Sequence, residues 1–499
     1  MASQLDIPVR EVQRRLGADN PWWRAGAGID PEEAAWPRRA YFPHFCRLAL
    51  EVGVRRAVVL IGPCRVGKTV MLKHLVKRLL DEGVAGTAIL YASLDTPLYS
   101  RRSLESMVRL FMDSHEHGSD RQLWILFDEV QYHKDWEVHL KSLVDSYPRI
   151  RFIASGSAAA ALRMKSRESG AGRFTEFLLP PLTFAEYLNF TGREEELVVQ
   201  RQGGAGPARF LARDIGALNR EFLNYLNYGG FPETVMNEAV RANPSRFLRQ
   251  DIIDKVLLKD LPSLYGISDT QELNRFFNVL AFNTGDEVGL EALSKHSGIA
   301  KQRLGEYLDY LEAAFLIRRV HRIDASALRM KRARTFKVYL TNPSVRAALF
   351  GFVRGDDAAM GNLAETAVWE QWLHDTGISQ SLHYARWRVG RQDLEVDIVS
   401  LDPRTQKPRF AIEIKWSDAI VEPGKELRGL KELAERHELA RFPLVTTRST
   451  HSEELELDGI TIDFVPVALH CYTIGRNLLR PRMPVFVNPR PLVSQSQPK

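Results

Sequence analysis

Gly62 to Thr69 reads GPCRVGKT, a G-x-x-x-x-G-K-[ST] pattern set between the apolar run AVVLIG and the amphipathic stretch TVMLKHLVKRLL. A strand before such a loop and a helix after it are the setting in which the pattern carries meaning. Gly62 and Gly67 permit backbone angles that aim successive N–H groups at phosphate oxygens, with Pro63, Cys64, Arg65 and Val66 as the loop between them. Lys68 would reach the β- and γ-phosphates, and Thr69 would offer its hydroxyl to Mg²⁺. The spacing therefore predicts ATP bound with Mg²⁺. A bare glycine turn is the plainer alternative, and the flanking strand and helix count against it.

Such a loop needs a carboxylate opposite it, and LWILFDEVQ supplies Asp128 and Glu129 at the end of an apolar run. Asp128 would hold Mg²⁺ directly or through water, while Glu129 would polarise the attacking water and accept its proton. An acidic pair after a strand also suits a helix N-terminus. RFIASGS ends another apolar run in hydroxyl residues, and Ser155 would contact the γ-phosphate, orient the water, or simply cap the next helix.

Further along, LEVDIVSLDPRTQKPRFAIEIKW puts Asp397 in one predicted strand and Glu413 and Lys415 two residues apart on the next. Residues two apart on a strand share a face, and a hairpin would bring all three together. Two such carboxylates can bind one or two Mg²⁺ ions, with Mn²⁺ an alternative, to activate water for phosphodiester cleavage while the lysine positions the nucleophile. Both carboxylates sit inside apolar runs, VDIV and AIEIKW, where charge is costly unless it serves a metal or a partner. An internal ion pair in a domain that has lost cleavage is the competing reading.

The elements that must position these groups follow from the pattern of apolar runs. From Arg56 strands alternate with helices, which implies a mostly parallel sheet with helices on both faces and ligands at the carboxyl ends of the strands. Residues 1–50 form a lead-in whose Trp22 and Trp23 read as a packed clasp, and 51–190 the nucleotide-binding core. Residues 191–285 read as a helical lid region, broken by the turn NYGGFPE. Residues 286–337 give helix, glycine turn at Gly298, helix and strand, the order of a winged helix-turn-helix. An α/β domain follows over 338–478, then a polar, proline-rich and flexible tail over 479–499.

Arg318, Arg319, Arg322, Arg329, Lys331, Arg332, Arg334 and Lys337 cluster between the last two regions and would neutralise DNA phosphates, although charge runs are more often solvated faces. Tyr384, Arg386, Trp387 and Arg388 would flank a nucleic-acid strand or form a cation–π pair. The 499 residues leave room for roughly three domains, and 68 lysines and arginines against 62 acids leave a mild basic excess. Cys46, Cys64 and Cys471 are too few and too scattered for a disulfide framework or a zinc site, which fits the cytoplasm. No apolar stretch long enough to cross a bilayer is read, and the first residues lack the apolar core of a signal peptide.

GPCRVGKT, FDEVQ, ASGS, ESGAGR and FLLPPLTFAEYL, with DNPWWR upstream and YGGFPE downstream, resemble the prokaryotic AAA-superfamily ATPases that carry a C-terminal domain long labelled as of unknown function. The resemblance covers nearly the whole chain. It implies that Arg173 senses the γ-phosphate or acts as a finger arginine, in cis or on a neighbour, and that copies assemble into a homo-oligomeric ring. The family carries two arginines before Val-Gly-Lys; here Cys64 replaces the first and Arg65 remains. The Asp397, Glu413 and Lys415 set resembles the restriction-endonuclease-like PD-(D/E)xK core, in which Glu365 of GNLAETAVWEQWL matches an additional acidic residue over the metal site. Two functions follow as expectations: ATP hydrolysis controlling a metal-dependent DNA nuclease on the same chain, in defence against foreign DNA, or an ATP-switched module that binds DNA or protein through an inactive nuclease-like domain.

Overall fold

Five short apolar runs build the first sheet: β1 Ala57–Ile61, β2 Ile89–Ser93, β3 Leu123–Asp128, β4 Ile150–Gly156 and β5 Phe174–Leu178. The computed structural model describes residues 8–51, 53–99, 102–157, 172–201, 207–327, 335–419, 427–457 and 459–478. All neighbouring strands are parallel, in the order β2-β3-β4-β1-β5. β1 and β4 are buried at every position because helices cover both faces. Alternate residues feed two cores. Ala57, Val59 and Ile61 pack with Val12, Leu104 and Leu140, whereas Val58 and Leu60 pack with Phe45, Met71 and Leu75.

The lead-in closes one edge of this sheet. Asn20 accepts from the Tyr91 amide through Oδ1 at 2.7 Å and donates to the Tyr91 carbonyl through Nδ2 at 2.8 Å, so its side chain pairs with β2 as another strand would. Both Trp22 and Trp23 donate their indole N–H to the Ile89 carbonyl, at 3.2 and 2.8 Å. A sheet edge left bare recruits other strands, and this one is covered.

Helices dominate the next region, but it also holds an antiparallel pair, β6 Val198–Gln200 and β7 Phe210–Ala212, that the sequence pattern did not disclose. From Leu248 to Asp254 and again from Val256 to Asp260 the backbone is π-helical. In YGGFPE, Gly230 is dictated by packing: an added Cβ would lie 2.3 Å from the Asn342 side chain.

Nine strands form the second, mixed sheet: β8 Glu287–Gly289, β9 Ile317–Ile323, β10 Thr335–Leu340, β11 Leu382–Val389, β12 Gln392–Leu401, β13 Pro408–Glu413, β14 Leu444–Thr447, β15 Ser452–Leu457 and β16 Ile460–Pro466. Their order is β15-β16-β14-β13-β12-β11-β9-β10-β8. β12 runs antiparallel to β11 and β13, while β9–β11, β13–β14 and β14–β16 are parallel. Helices Leu290–Ser297 and Lys301–Ala313 connect β8 to β9 through a left-handed Gly298 at φ 74°. One sheet face packs under helix Arg428–Arg436, and the other under helices Met360–Leu373 and Val467–Leu478.

The boundary expected after residue 337 falls inside β10, which bonds to β8 and β9 and so belongs to the same sheet as β11 to β16. β10 faces two ways. Phe336, Val338 and Leu340 enter the core that holds Val58 and Leu60 of β1, whereas Tyr339 packs with the helix Met360–Leu373. Among the described residues no helix is long and apolar enough to cross a membrane. The three cysteines are buried and unpaired. The tail over 479–499 lies outside the described residues.

Candidate functional site

β1 delivers the chain to Gly62, where an added Cβ would meet the Leu179 carbonyl oxygen at 2.2 Å. Arg65 and Gly67 then take left-handed φ angles of 65° and 92°, and helix Lys68–Asp81 starts at once. Alternating handedness turns backbone N–H groups inward, and the unsatisfied N–H groups of the helix start add to them, which makes an anion cradle. Lys68 is buried, and its Nζ donates to the Gly62 and Pro63 carbonyls at 3.1 and 2.8 Å. Burial raises the Cys64 thiol, so this loop position packs as a neutral group.

Across the loop, the end of β3 presents Asp128. Thr69 Oγ1 donates to Asp128 Oδ2 at 2.7 Å, and the Tyr91 phenol donates to the same oxygen at 2.8 Å. Asp128 Oδ1 receives the Ser155 hydroxyl from β4 and the Glu129 amide at 3.1 Å. Burial and then Asp128 raise the Tyr91 phenol, which keeps it a donor. Glu129 adopts a left-handed φ of 56°, an uncommon state for a side-chain-bearing residue, and Gln131 donates to its carboxylate. Gln131 is held in turn by the Ser157 amide at 3.1 Å.

All of Gly62 to Thr69, with Asp128, Glu129 and Ser155, thus meet at the carboxyl ends of β1, β3 and β4. Cys64, Arg65, Gly67, Lys68, Thr69, Asp128 and Glu129 line a cleft of about 890 Å³, together with Trp36, Pro232 and Lys255. That volume suits a nucleotide. The Thr69 hydroxyl and Asp128 carboxylate offer side-by-side oxygens, which fits a hard cation that keeps other ligands from water and phosphate.

Sequence reasoning missed Tyr91, Gln131 and Arg39. Arg39 donates to the Val66 carbonyl at 2.7 Å and to both oxygens of Glu186 at 2.8 and 3.0 Å, so the lead-in grips the loop from behind. Burial works to raise the Glu186 carboxyl, and Arg39 outweighs it.

The second constellation lies on the other sheet. Asp397 is in β12, and its Oδ2 accepts the Ile414 amide at 2.7 Å. Lys415, just past β13, pairs with Glu413 Oε1 at 2.8 Å. Glu365, from helix Met360–Leu373, accepts from Lys337 Nζ at 2.8 Å and from the Tyr339 phenol at 2.5 Å. Lys337 also reaches Glu395 at 2.6 Å and Asp397 at 3.7 Å. Burial, with Asp397 adding to it, pushes the Glu413 carboxyl up to about 8. Burial likewise raises Glu365 to about 7 despite Lys337 beside it. Burial works to lower the Lys415 ammonium, and Glu413 outweighs it. Glu365, Asp397 and Glu413 therefore gather in one buried layer, with the half-buried Lys415 at its margin. Among the described residues, however, no group of three or more His, Cys, Asp or Glu is arranged to hold a metal ion.

Residues 54–188 match the family model of an AAA domain, and residues 219–355 match that of a domain of unknown function, DUF8612. Residues 54–188 form an AAA-type P-loop ATPase domain. The second match ends ahead of β11. An uncharacterized protein of Haemophilus influenzae is 23% identical over 418 residues, spanning 82% of this chain and 92% of its own length. An uncharacterized protein of Methanocaldococcus jannaschii is 24% identical over 334 residues, spanning 64% of this chain and 68% of its own. Among solved structures, the Aeropyrum pernix Orc1 protein in complex with DNA aligns at 13% identity and a TM-score of 0.31, over 64% of this chain and 94% of its own. Cdc6p of Pyrobaculum aerophilum aligns at 13% identity and a TM-score of 0.28, over 66% and 97%. Those two superpositions are too loose to carry an argument; the assignment rests on the family match, the strand order and the loop.

Within the AAA domain Arg173 stands apart from the cleft. It precedes β5, and its carbonyl accepts the Ala57 amide at the start of β1, so it lies at the opposite end of the parallel strands from Gly62. Its guanidinium pairs with Asp145 at 2.5 Å. A role in cis at its own γ-phosphate is thereby corrected. ESGAGR lies partly outside the described residues.

For the described half of the expected basic surface, the expectation of a solvent-facing patch is corrected. Arg319 pairs with Glu312 and Asp309, both at 2.7 Å, Arg322 donates to the Arg386 carbonyl, and Lys337 is buried among carboxylates. Arg318 is desolvated enough to lower its pKa. Arg329, Lys331, Arg332 and Arg334 lie outside the described residues. Tyr384 and Trp387 are buried, and the cation over the Tyr384 ring is Lys337 at 5.5 Å.

Proposed function

We propose that the chain binds and hydrolyses ATP with Mg²⁺ at the AAA-domain cleft, and that this cycle controls a metal-dependent DNA nuclease at the C-terminal cluster. In this reading Lys68 leaves two neutral carbonyls for the β- and γ-phosphates. Thr69 and Asp128 hold Mg²⁺, which supplies charge neutralisation at the transferred phosphoryl group. Glu129 takes the proton of the attacking water, and Ser155 fixes Asp128. Arg173, remote from its own cleft, would serve a neighbouring copy in a homo-oligomer. The run β8, helix, helix, β9, β10 supports a winged helix-turn-helix over 286–337. For the nuclease, Asp397 and Glu413 would be the metal ligands, Glu365 the added acid and Lys415 the group beside the nucleophile.

The observation that carries the proposal is the gathering of Glu365, Asp397, Glu413 and Lys415 beside β10, a strand whose other face enters the same core as Val58 and Leu60 of β1. Defence against foreign DNA is the setting that the resemblance implies.

The test is plasmid cleavage by purified protein with Mg²⁺ or Mn²⁺, with and without ATP. Lys68→Ala should abolish ATP turnover, while Asp397→Ala should leave turnover intact and remove cleavage. Absence of cleavage by the unaltered chain under every condition, alongside ATP turnover, would reject the nuclease. Lys337 inside the cluster favours a second reading, an ATP-switched binding module whose nuclease-like domain is inactive, and that result would select it.

A further inference from the structure

Lys337 belongs to none of the motifs, yet its ammonium sits where the cluster's charges converge. It is 4% exposed. Its Nζ lies 2.8 Å from Glu365, 2.6 Å from Glu395 and 3.7 Å from Asp397. With Glu413 the cluster holds four carboxylates, faced by the two ammonium groups of Lys337 and Lys415. Arg386 reaches Glu395 only at 3.7 Å and is committed to Glu287 at 2.7 Å. Among the described residues the layer therefore has more carboxylates than close cations. It also has an unsatisfied buried atom: Glu413 is 4% exposed, and its Oε2 has no hydrogen-bond partner among the described residues. A buried, unpartnered carboxylate oxygen is costly unless a cation comes to it.

We propose that Lys337 is a resident cation holding the place of a divalent metal, and that a divalent ion enters among Glu365, Asp397 and Glu413 only as Lys337 withdraws. The inference rests on the metal-binding reading of the cluster. It accounts for the lack of a ready metal-holding group among the described residues, since Glu365 and Asp397 are turned to the ammonium instead. Withdrawal has a route. Lys337 lies on β10 between Phe336 and Val338, which enter the core containing Val58, Leu60 and Leu72 of the AAA domain. A shift of that core on nucleotide binding would move the strand that carries the ammonium.

The experiment is Mn²⁺ binding to the full chain without nucleotide, followed by the electron paramagnetic resonance of free Mn²⁺. Lys337→Met should tighten binding by about ten-fold or more, because a cation is removed from the ligands. Adding Asp397→Asn to Lys337→Met should abolish the gain. Binding that Asp397→Asn weakens but Lys337→Met leaves unchanged overturns the exchange and spares the metal site. Binding tightened by Lys337→Met yet indifferent to Asp397→Asn overturns both. Should Lys337→Met fail to fold, acylation of Lys337 in the unaltered chain, read by mass spectrometry, decides the matter. Saturating Mn²⁺ should raise its labelling several-fold, and unchanged labelling overturns the proposal.

Discussion

The two charged sites solve the same problem, a lysine beside carboxylates, in opposite ways. In the AAA-domain cleft Lys68 rests on two backbone carbonyls, and Asp128 is held by the hydroxyls of Thr69, Tyr91 and Ser155. Neutral partners of this kind are released at little cost, so Lys68 is free to exchange them for an anion and Asp128 for a cation. In the C-terminal cluster Lys337 and Lys415 are bound to carboxylates in a buried layer, where separation leaves uncompensated charge. An exchangeable site is built on dipoles; a guarded one is built on charges.

The hardest blow to that contrast is aimed at Glu129. Glu129→Ala should lower ATP turnover by roughly 10²–10³-fold while leaving ATP bound, measured by phosphate release and nucleotide retention. Normal turnover would remove Glu129 as the base and leave hydrolysis to another group of the cleft.

Next in size is a pH effect confined to the cluster. Glu413 and Glu365 are raised from 4.5 to about 8 and about 7, so the folded state keeps protons that the unfolded state releases. Their contribution is complete below about 4.5 and is lost as pH climbs through 7 to 8. Melting temperature in the absence of divalent ions should fall over that window, and Glu413→Gln should flatten the fall. A melting temperature that rises instead would mean the carboxylates are fully paired.

The smallest effect concerns the lead-in. Asn20→Ala leaves the Tyr91 amide and carbonyl without their partner and should cost about 1–3 kcal/mol in denaturant unfolding, with ATP turnover retained at low temperature. A neutral result would make Asn20 a bystander to the β2 edge.

The cleft was largely legible because its parts are local. GPCRVGKT and FDEVQ each follow an apolar strand, and parallel strands deliver such residues to one edge. Tyr91 and Arg39 were not legible: a tyrosine within TAILYASLD and one arginine of a lead-in carry no spacing that points to Asp128 or Val66. The remoteness of Arg173 from its own cleft was hidden for a related reason. Its neighbours suggest a finger, but residues preceding a parallel strand emerge opposite the loop.

In the cluster, Asp397, Glu413 and Lys415 could be read from two adjacent strands. Lys337 was read as part of a basic surface, because a run of arginines and lysines does not reveal that alternate positions of β10 turn inward. The same blindness put a boundary at residue 337, in the middle of a strand whose two faces serve different cores.

The pairing of Asn20 with β2 bears on how this protein can be taken apart. A fragment begun at residue 51, where the family match nearly starts, would carry the P-loop and every strand of the first sheet. It would also carry an uncapped β2, with the Tyr91 amide and carbonyl and the Ile89 carbonyl open to solvent and to other molecules. Such a fragment should be sticky in solution while the residues of its cleft are intact. Any attempt to isolate the ATPase half in soluble form is therefore better begun at or before the helix Val9–Asp19.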